Sequence, residues 1–106
     1  MVYRLVSGMK IGELRDGMRG IDVEGRITEV GEVRDVRLRT GGGARVSDCT
    51  LEDDTGTITL SLWNEDIDKV VSGNTVRIKN GYTRSFRGDV QLNVGRYGTL
   101  EVVSEE

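Results

Sequence analysis

The stretch TITLSLW, residues 57–63, alternates Ile58, Leu60 and Leu62 with Thr57, Thr59, Ser61 and Trp63. Side chains return to the same face every two residues only in an extended strand, so this window is a strand with one buried face and one open face. The signature recurs. GIDVEGRITEV (20–30) sets Ile21, Val23, Gly25 and Ile27 against Asp22, Glu24, Arg26 and Thr28. RVSDCTLED (45–53) points Cys49 and Leu51 inward, NTVRIKNGY (74–82) points Val76 and Ile78 inward, and DVQLNV (89–94) does the same with Val90, Leu92 and Val94. TLEVVS (99–104) extends or follows the last of these. Gly, Asn and Asp separate the runs, as turns require. With 15 glycines and no proline, glycine must supply most of the special turn geometry. EDDTG (52–56) joins the second and third strands tightly, Gly56 being able to take positive φ, whereas TGGGA (40–44) lies in a long flexible connection between the first and second.

Only two segments have helical character. WNEDIDKVVSG (63–73) offers Asn64 as N-cap, Glu65 and Asp66 in the first turn, an apolar stripe of Ile67, Val70 and Val71, and Gly73 as the stop. MKIGELRDGM (9–18) holds a short helical turn or nothing regular. Five short strands with one short helix between the third and fourth predict an all-β protein, a five-stranded OB-fold Greek-key barrel. At 106 residues the chain has the length of one domain: residues 1–106 form a single OB-fold domain, with a core over about 18–103 and residues 1–17 as an N-terminal extension.

Several chemistries are set aside by composition. The chain has no histidine, the commonest general base and metal ligand, and one cysteine, Cys49, which reads as a small core residue; a zinc site and an internal disulfide are excluded. The carboxylates of EDDTG and NEDID (64–68) lack the spacing of a calcium loop and are explained by a tight turn and a helix start. GGGAR lacks the Lys-Ser/Thr of a phosphate loop. No catalytic constellation is present, so no enzymatic activity, cofactor or metal is expected. No apolar run approaches the roughly 20 residues that cross a bilayer, and no membrane partner is expected. MVYRLVSGMK does not have the pattern of a signal peptide, and a lone cysteine fits a reducing interior.

The net charge of −3 argues against a polyanionic ligand, but the charges are segregated. Residues 34–45 carry Arg34, Arg37, Arg39 and Arg45 against Asp35; residues 77–97 carry Arg77, Lys79, Arg84, Arg87 and Arg96 against Asp89. Between them lie seven acids and Lys69. Such segregation creates a local positive face on an acidic protein. An OB barrel binds oligonucleotides across its second and third strands, walled by the loops between strands 1–2 and 4–5. Here those loops are residues 31–44 and 83–88, which coincide with the two basic windows.

Scarce aromatics fall in the same places. Strand parity turns Trp63 away from the core, either as a stacking platform or as a residue closing the barrel rim. GYTRSFRG (81–88) places Phe86 at a loop tip, either open to a ligand or buried by the loop folding back. Tyr82 has two readings: parity with Val76 and Ile78 points it inward, and a bulge at Asn80-Gly81 turns it outward. Rings that accept bases beside guanidinium groups that accept phosphates are the combination that single-stranded nucleic acid needs. The candidate ligand-facing residues are Trp63, Tyr82 and Phe86 for stacking. Arg34, Arg37, Arg39, Arg45, Lys79, Arg84, Arg87 and Arg96 are the candidates for phosphate, and Gln91 and Asn93 for base edges.

KIGELRDGMRGIDVEGRITEV, LEDDTGTITLSLWNED, GNTVRIKNGYTRSFRG and LNVGRYGTLE together resemble the single OB-fold single-stranded DNA-binding proteins of the replication protein A type, including archaeal forms and the short OB subunit of the human sensor-of-ssDNA complex. The resemblance spans roughly residues 9–103. It implies that Trp63, Tyr82 and Phe86 stack on bases, which would turn Tyr82 outward. It also implies that one stacking position is missing at Asn93, where some members carry an aromatic. Members often carry a partner-recruiting tail; this sequence stops at EVVSEE, so either the tail is absent or the chain is one domain of a longer protein. The expected function is single-stranded DNA binding with low sequence specificity in DNA replication and repair, with RNA as an open alternative ligand. Replication or repair proteins are the expected partners, and the expected location is intracellular, either cytoplasmic and nucleoid-associated or nuclear. The alternative is a protein-interaction OB subunit of a replication protein A-like complex.

Overall fold

The structure, a computed structural model, describes residues 8–103. The first seven residues of the expected N-terminal extension, and Ser104 of the expected last strand, lie outside the described residues. Eight strands are present: β1 (Gly8–Met9), β2 (Arg19–Val30), β3 (Arg34–Arg37), β4 (Gly43–Asp53), β5 (Gly56–Trp63), β6 (Thr75–Phe86), β7 (Asp89–Asn93) and β8 (Thr99–Val103). A helical turn α1 (Glu65–Asp68) sits between β5 and β6, and a 3-10 turn covers Ile11–Glu13. β2, β4, β5, β7 and β6 pair in that order, and β6 pairs back onto β2, which closes a five-stranded barrel. All five contacts are antiparallel except β5–β7. This is the OB-fold Greek key.

The period-two runs fill the barrel. Val23, Ile27, Cys49, Leu51, Leu60, Leu62, Val76, Ile78 and Leu92 are all buried. Removing such side chains from water is the main favourable contribution to folding, about 25 cal/mol per Å². The segment before β2 contributes too. Ile11 joins the core, and the Ile11 N–H donates to Asp53 Oδ2 at 2.8 Å.

Three expectations are corrected. First, residues 31–44 are not a flexible loop: Arg34–Arg37 pair with Gly43–Val46 as a hairpin that extends β4 beyond the barrel. Its turn is closed by Leu38 N–H to Gly42 O at 2.7 Å and Gly41 N–H to Leu38 O at 2.9 Å. Gly41 takes φ of +100°, so the glycine cluster serves a defined turn and does not confer length. Second, residues 83–88 are mostly strand. β6 runs to Phe86, and Arg87 and Gly88 form a two-residue turn with φ of +54° and +87°.

Third, the expected helix over 63–73 is a single turn. Asn64 has φ of +53° and does not cap; its Oδ1 accepts from the Arg45 N–H at 3.0 Å. Ile67 and Val70 are buried, but Val71 is 64% exposed. The competing interaction is backbone pairing. Gly73 N–H donates to Ile27 O at 2.6 Å and Ile27 N–H donates to Asn74 O at 2.7 Å. Residues 73–74 are thus captured by β2, and one isolated turn is too short to propagate on its own.

Candidate nucleic-acid interface

Register decides which side chains share the outer face of the barrel. Cys49 opposes Leu60 inside, so Asp48 opposes Ser61 and Thr50 opposes Thr59 outside. β7 sets Asn93 beside Ser61 and Gln91 beside Thr59. β6 sets Tyr82 beside Asn93 and Arg84 beside Gln91. Two rows therefore cross the sheet, Asp48–Ser61–Asn93–Tyr82 and Thr50–Thr59–Gln91–Arg84. Ser61 ties them together, its Oγ lying 3.1 Å from Asp48 Oδ1 and 3.3 Å from Gln91 Oε1 with one proton to give to either. Trp63 lies one step beyond the first row, opposite Val46, and Phe86 one step beyond the second, opposite Asp89.

Tyr82 reaches this face through a parity change. Val23 pairs with Ile78 but Ile21 with Gly81, so β6 holds one more residue than β2 in this interval. Asn80 takes the bulge with φ of +58°, and its N–H donates to Asp22 Oδ1 at 2.9 Å. Before the bulge Val76 and Ile78 face the core; after it Gly81 and Thr83 do, and Tyr82, Arg84 and Phe86 face out. Gly81 is required: a Cβ there would lie 2.8 Å from Asn93 O and 2.9 Å from Ile78 Cγ2. The Tyr82 ring covers Gly95, where a Cβ would come within 3.2 Å of its Cδ1. Trp63 and Tyr82 face one groove of about 300 Å³, lined also by Asp66, Asn93, Val94 and Arg96.

The rings are open to solvent, with Trp63 41%, Tyr82 36% and Phe86 56% exposed. Arg87 stacks its guanidinium 5.3 Å from the Phe86 ring centroid. The cations divide into groups. Arg84 and Arg96 are beside the rings and, like Arg87, make no ion pair among the described residues. Arg34 shares the ring face, but its Nη2 lies 3.3 Å from Asp48 Oδ2. Arg37 and Arg45 fall on the other face of the hairpin by register, and Arg45 Nη2 binds Asp68 Oδ2 at 3.1 Å. That pairing, ahead of solvation, raises the Arg45 pKa above its ordinary value. Arg39 is in the hairpin turn. Lys79 is not brought to the rings; it lines a cleft of β1, β2 and β6 with Glu24 and Arg77.

Three residues near the rings were not singled out by sequence. Asp48 belongs to an acidic window, and only register reveals that its carboxylate sits in the Tyr82 row. Arg19 directly opposes Tyr82 on β2. Tyr97, in the turn between β7 and β8, is 81% exposed. Its setting, an Arg-aromatic pair between two glycines, repeats the pattern of GYTRSFRG and was the available signal.

Comparison with known proteins places the chain. Saccharolobus solfataricus single-stranded DNA binding protein Ssb is 32% identical over 97 residues, 92% of this chain and 65% of that protein. Replication factor A of Methanothermobacter thermautotrophicus is 36% identical over 88 residues, 82% of this chain but 11% of that protein. The chain thus spans just under two thirds of the first relative and about a tenth of the second. The solution structure of the replication factor A related protein from Methanobacterium thermoautotrophicum superposes with a TM-score of 0.75 at 27% identity, covering 91% of this chain and 90% of that one. The family described as single-stranded DNA binding protein Ssb-like, OB fold, matches residues 14–102, and the chain belongs to it.

Proposed function

We propose that this protein binds single-stranded DNA without catalysing a reaction, with little sequence preference, in DNA replication and repair. Bases stack on Trp63, Tyr82 and Phe86. Arg84, Arg87 and Arg96 take the phosphates; of the hairpin cations Arg34 shares their face but is tied to Asp48, while Arg37 and Arg45 lie on the opposite face. Gln91 and Asn93 lie between the rings, where base edges pass. The observation that carries this reading is the parity change at Asn80, because it is what sets Tyr82 across from Trp63 on one open face. Stacking recognises the π-face that all bases share, which accounts for low sequence preference. A duplex buries those faces, so it is a poor ligand.

Trp63 is the sole tryptophan, so binding reports on itself. Oligo-dT is expected to quench its fluorescence, while duplex DNA of the same length does not. Trp63→Ala, followed by anisotropy of a labelled oligonucleotide, should weaken binding by about 1–3 kcal/mol. Wild-type protein that shows neither quenching nor anisotropy change with any single strand would refute the reading. A matched RNA oligomer in the same titration measures the preference for deoxyribose.

A further inference from the structure

The ring of Tyr82 has a groove on each side. The first holds Trp63; the second, of about 330 Å³, is lined by Arg19, Asn80, Tyr82, Arg96 and Tyr97, and by Gly20, Gly81 and Gly95. Tyr82, Gly95 and Arg96 belong to both, so the two grooves adjoin across the Tyr82 ring. We propose that a bound strand passes over Tyr82 into this second groove, where Tyr97 stacks on a further base and Arg19 and Arg96 hold the phosphates. This rests on the single-stranded nucleic acid reading.

Tyr97 is the most exposed large apolar side chain among the described residues, at 81%. Its backbone is nevertheless held. Gly98 N–H donates to Gly95 O at 3.3 Å, and Asn80 Nδ2 donates to Tyr97 O at 3.4 Å. At Gly98 a Cβ would overlap Val94 O at 1.9 Å, and Gly95 has φ of +85°, so the turn accepts few other shapes. A ring presented to water on a braced turn contributes nothing to the core, and the turn beneath it needs no further ordering when a flat ligand arrives. At Gly20 a Cβ would meet only Asn80 Oδ1, at 3.6 Å, so the backbone is open on that wall of the groove. Arg19 and Arg96 make no ion pair among the described residues, so both guanidiniums are available to an anion. A planar group and an anion in one narrow groove describe a nucleotide better than an apolar protein segment.

The test is a length series. Oligo-dT of about 3 to 16 nucleotides, spanning OB-fold site sizes, is titrated against wild type, Tyr97→Ala and Tyr97→Phe with Trp63 quenching as the readout. Trp63 lies in the first groove, so its signal does not depend on Tyr97. Tyr97→Ala should match wild type on the shortest oligomers and bind the longest about 5- to 150-fold more weakly, with its melting temperature unchanged. Tyr97→Phe should stay within about 2-fold of wild type at every length, since the ring is kept. Equal affinities of Tyr97→Ala and wild type at every length would overturn this inference and leave the Trp63–Tyr82–Phe86 reading standing, as would a loss already complete on the shortest oligomers. A Tyr97→Phe as weak as Tyr97→Ala would also overturn it. Wild type that quenches with no oligomer would overturn both.

Discussion

Asp48 is a carboxylate in the middle of a face that should attract phosphate, and replacing it makes a sharp prediction. Arg34 Nη2 sits 3.3 Å from Asp48 Oδ2, so the two form a neutral unit. A neutral unit displaces no counterions when a strand binds. Four arginines beside the rings, Arg19, Arg84, Arg87 and Arg96, lack such a partner among the described residues. With a slope of about −0.7 per phosphate neutralised, single-strand affinity should fall with salt at about −3 on a log–log plot. Asp48→Asn releases Arg34 as a fifth cation and steepens the slope to about −3.5. The same increment is a gain of about 5-fold in affinity at 0.1 M salt, shrinking to nothing near 1 M.

The substitution is mild in other respects. Asparagine keeps an Oδ1 acceptor for the Ser61 hydroxyl, and an exposed ion pair stabilises by only about 0–1 kcal/mol. Trp63 quenching by oligo-dT at several salt concentrations measures the slope directly. Asp68→Asn is the matched control: it frees Arg45, which register puts on the opposite face of the hairpin, and should leave the slope as it was. If Asp48→Asn binds no more tightly than wild type with an unchanged slope, then Arg34 does not reach the strand. The assignment of the Asp48–Ser61–Asn93–Tyr82 row to the ligand face then fails.

Asp53 predicts an acid-sensitive brace. Burial opposes its ionisation, but hydrogen bonds from the Ile11 and Thr55 N–H groups and the Thr55 hydroxyl outweigh this and lower its pKa below the ordinary carboxylate value. The native state therefore holds the proton less tightly than the unfolded chain. The contribution is full above the unfolded value of about 3.9 and is lost as pH falls through the native one; urea melts should show Asp53→Asn about 1–2 kcal/mol less stable at neutral pH, with the difference closing in acid. At the bulge, Gly81→Ala forces a Cβ to 2.8 Å from Asn93 O, so a loss of about 1–3 kcal/mol in urea-midpoint stability is expected, and a neutral result would show that β6 and β7 can separate there.

Periodicity carried most of the barrel because the apolar residues of β2, β5 and β7 alternate without interruption: Ile21, Val23 and Ile27 on one strand, Ile58, Leu60 and Leu62 on another, Val90 and Leu92 on the third. Local pattern failed where long-range backbone pairing won. Nothing in KVVSG announces that Gly73 and Asn74 will bond to Ile27, yet those bonds end the helix after Asp68. Arg34–Arg37 looked like loop because a strand that extends past a barrel has no core face to pattern.

The site was harder to read than the core for a related reason. Which cations are available depends on carboxylates far away in sequence: Asp48 for Arg34, Asp68 for Arg45. Charge windows count residues and cannot see such pairs. Tyr82 shows the opposite case, in which one local detail controls the whole face. If Asn80 did not add a residue to β6, Tyr82 and Arg84 would turn inward with Val76 and Ile78. A phenol and a guanidinium would then displace the space now filled by Gly81 and Thr83. Neither group can be buried there without an unmet desolvation penalty. The bulge therefore does two things at once: it keeps the barrel interior small enough to close, and it brings the aromatic row to the surface. Barrel closure and the outward turn of Tyr82 and Arg84 are consequences of the same inserted residue.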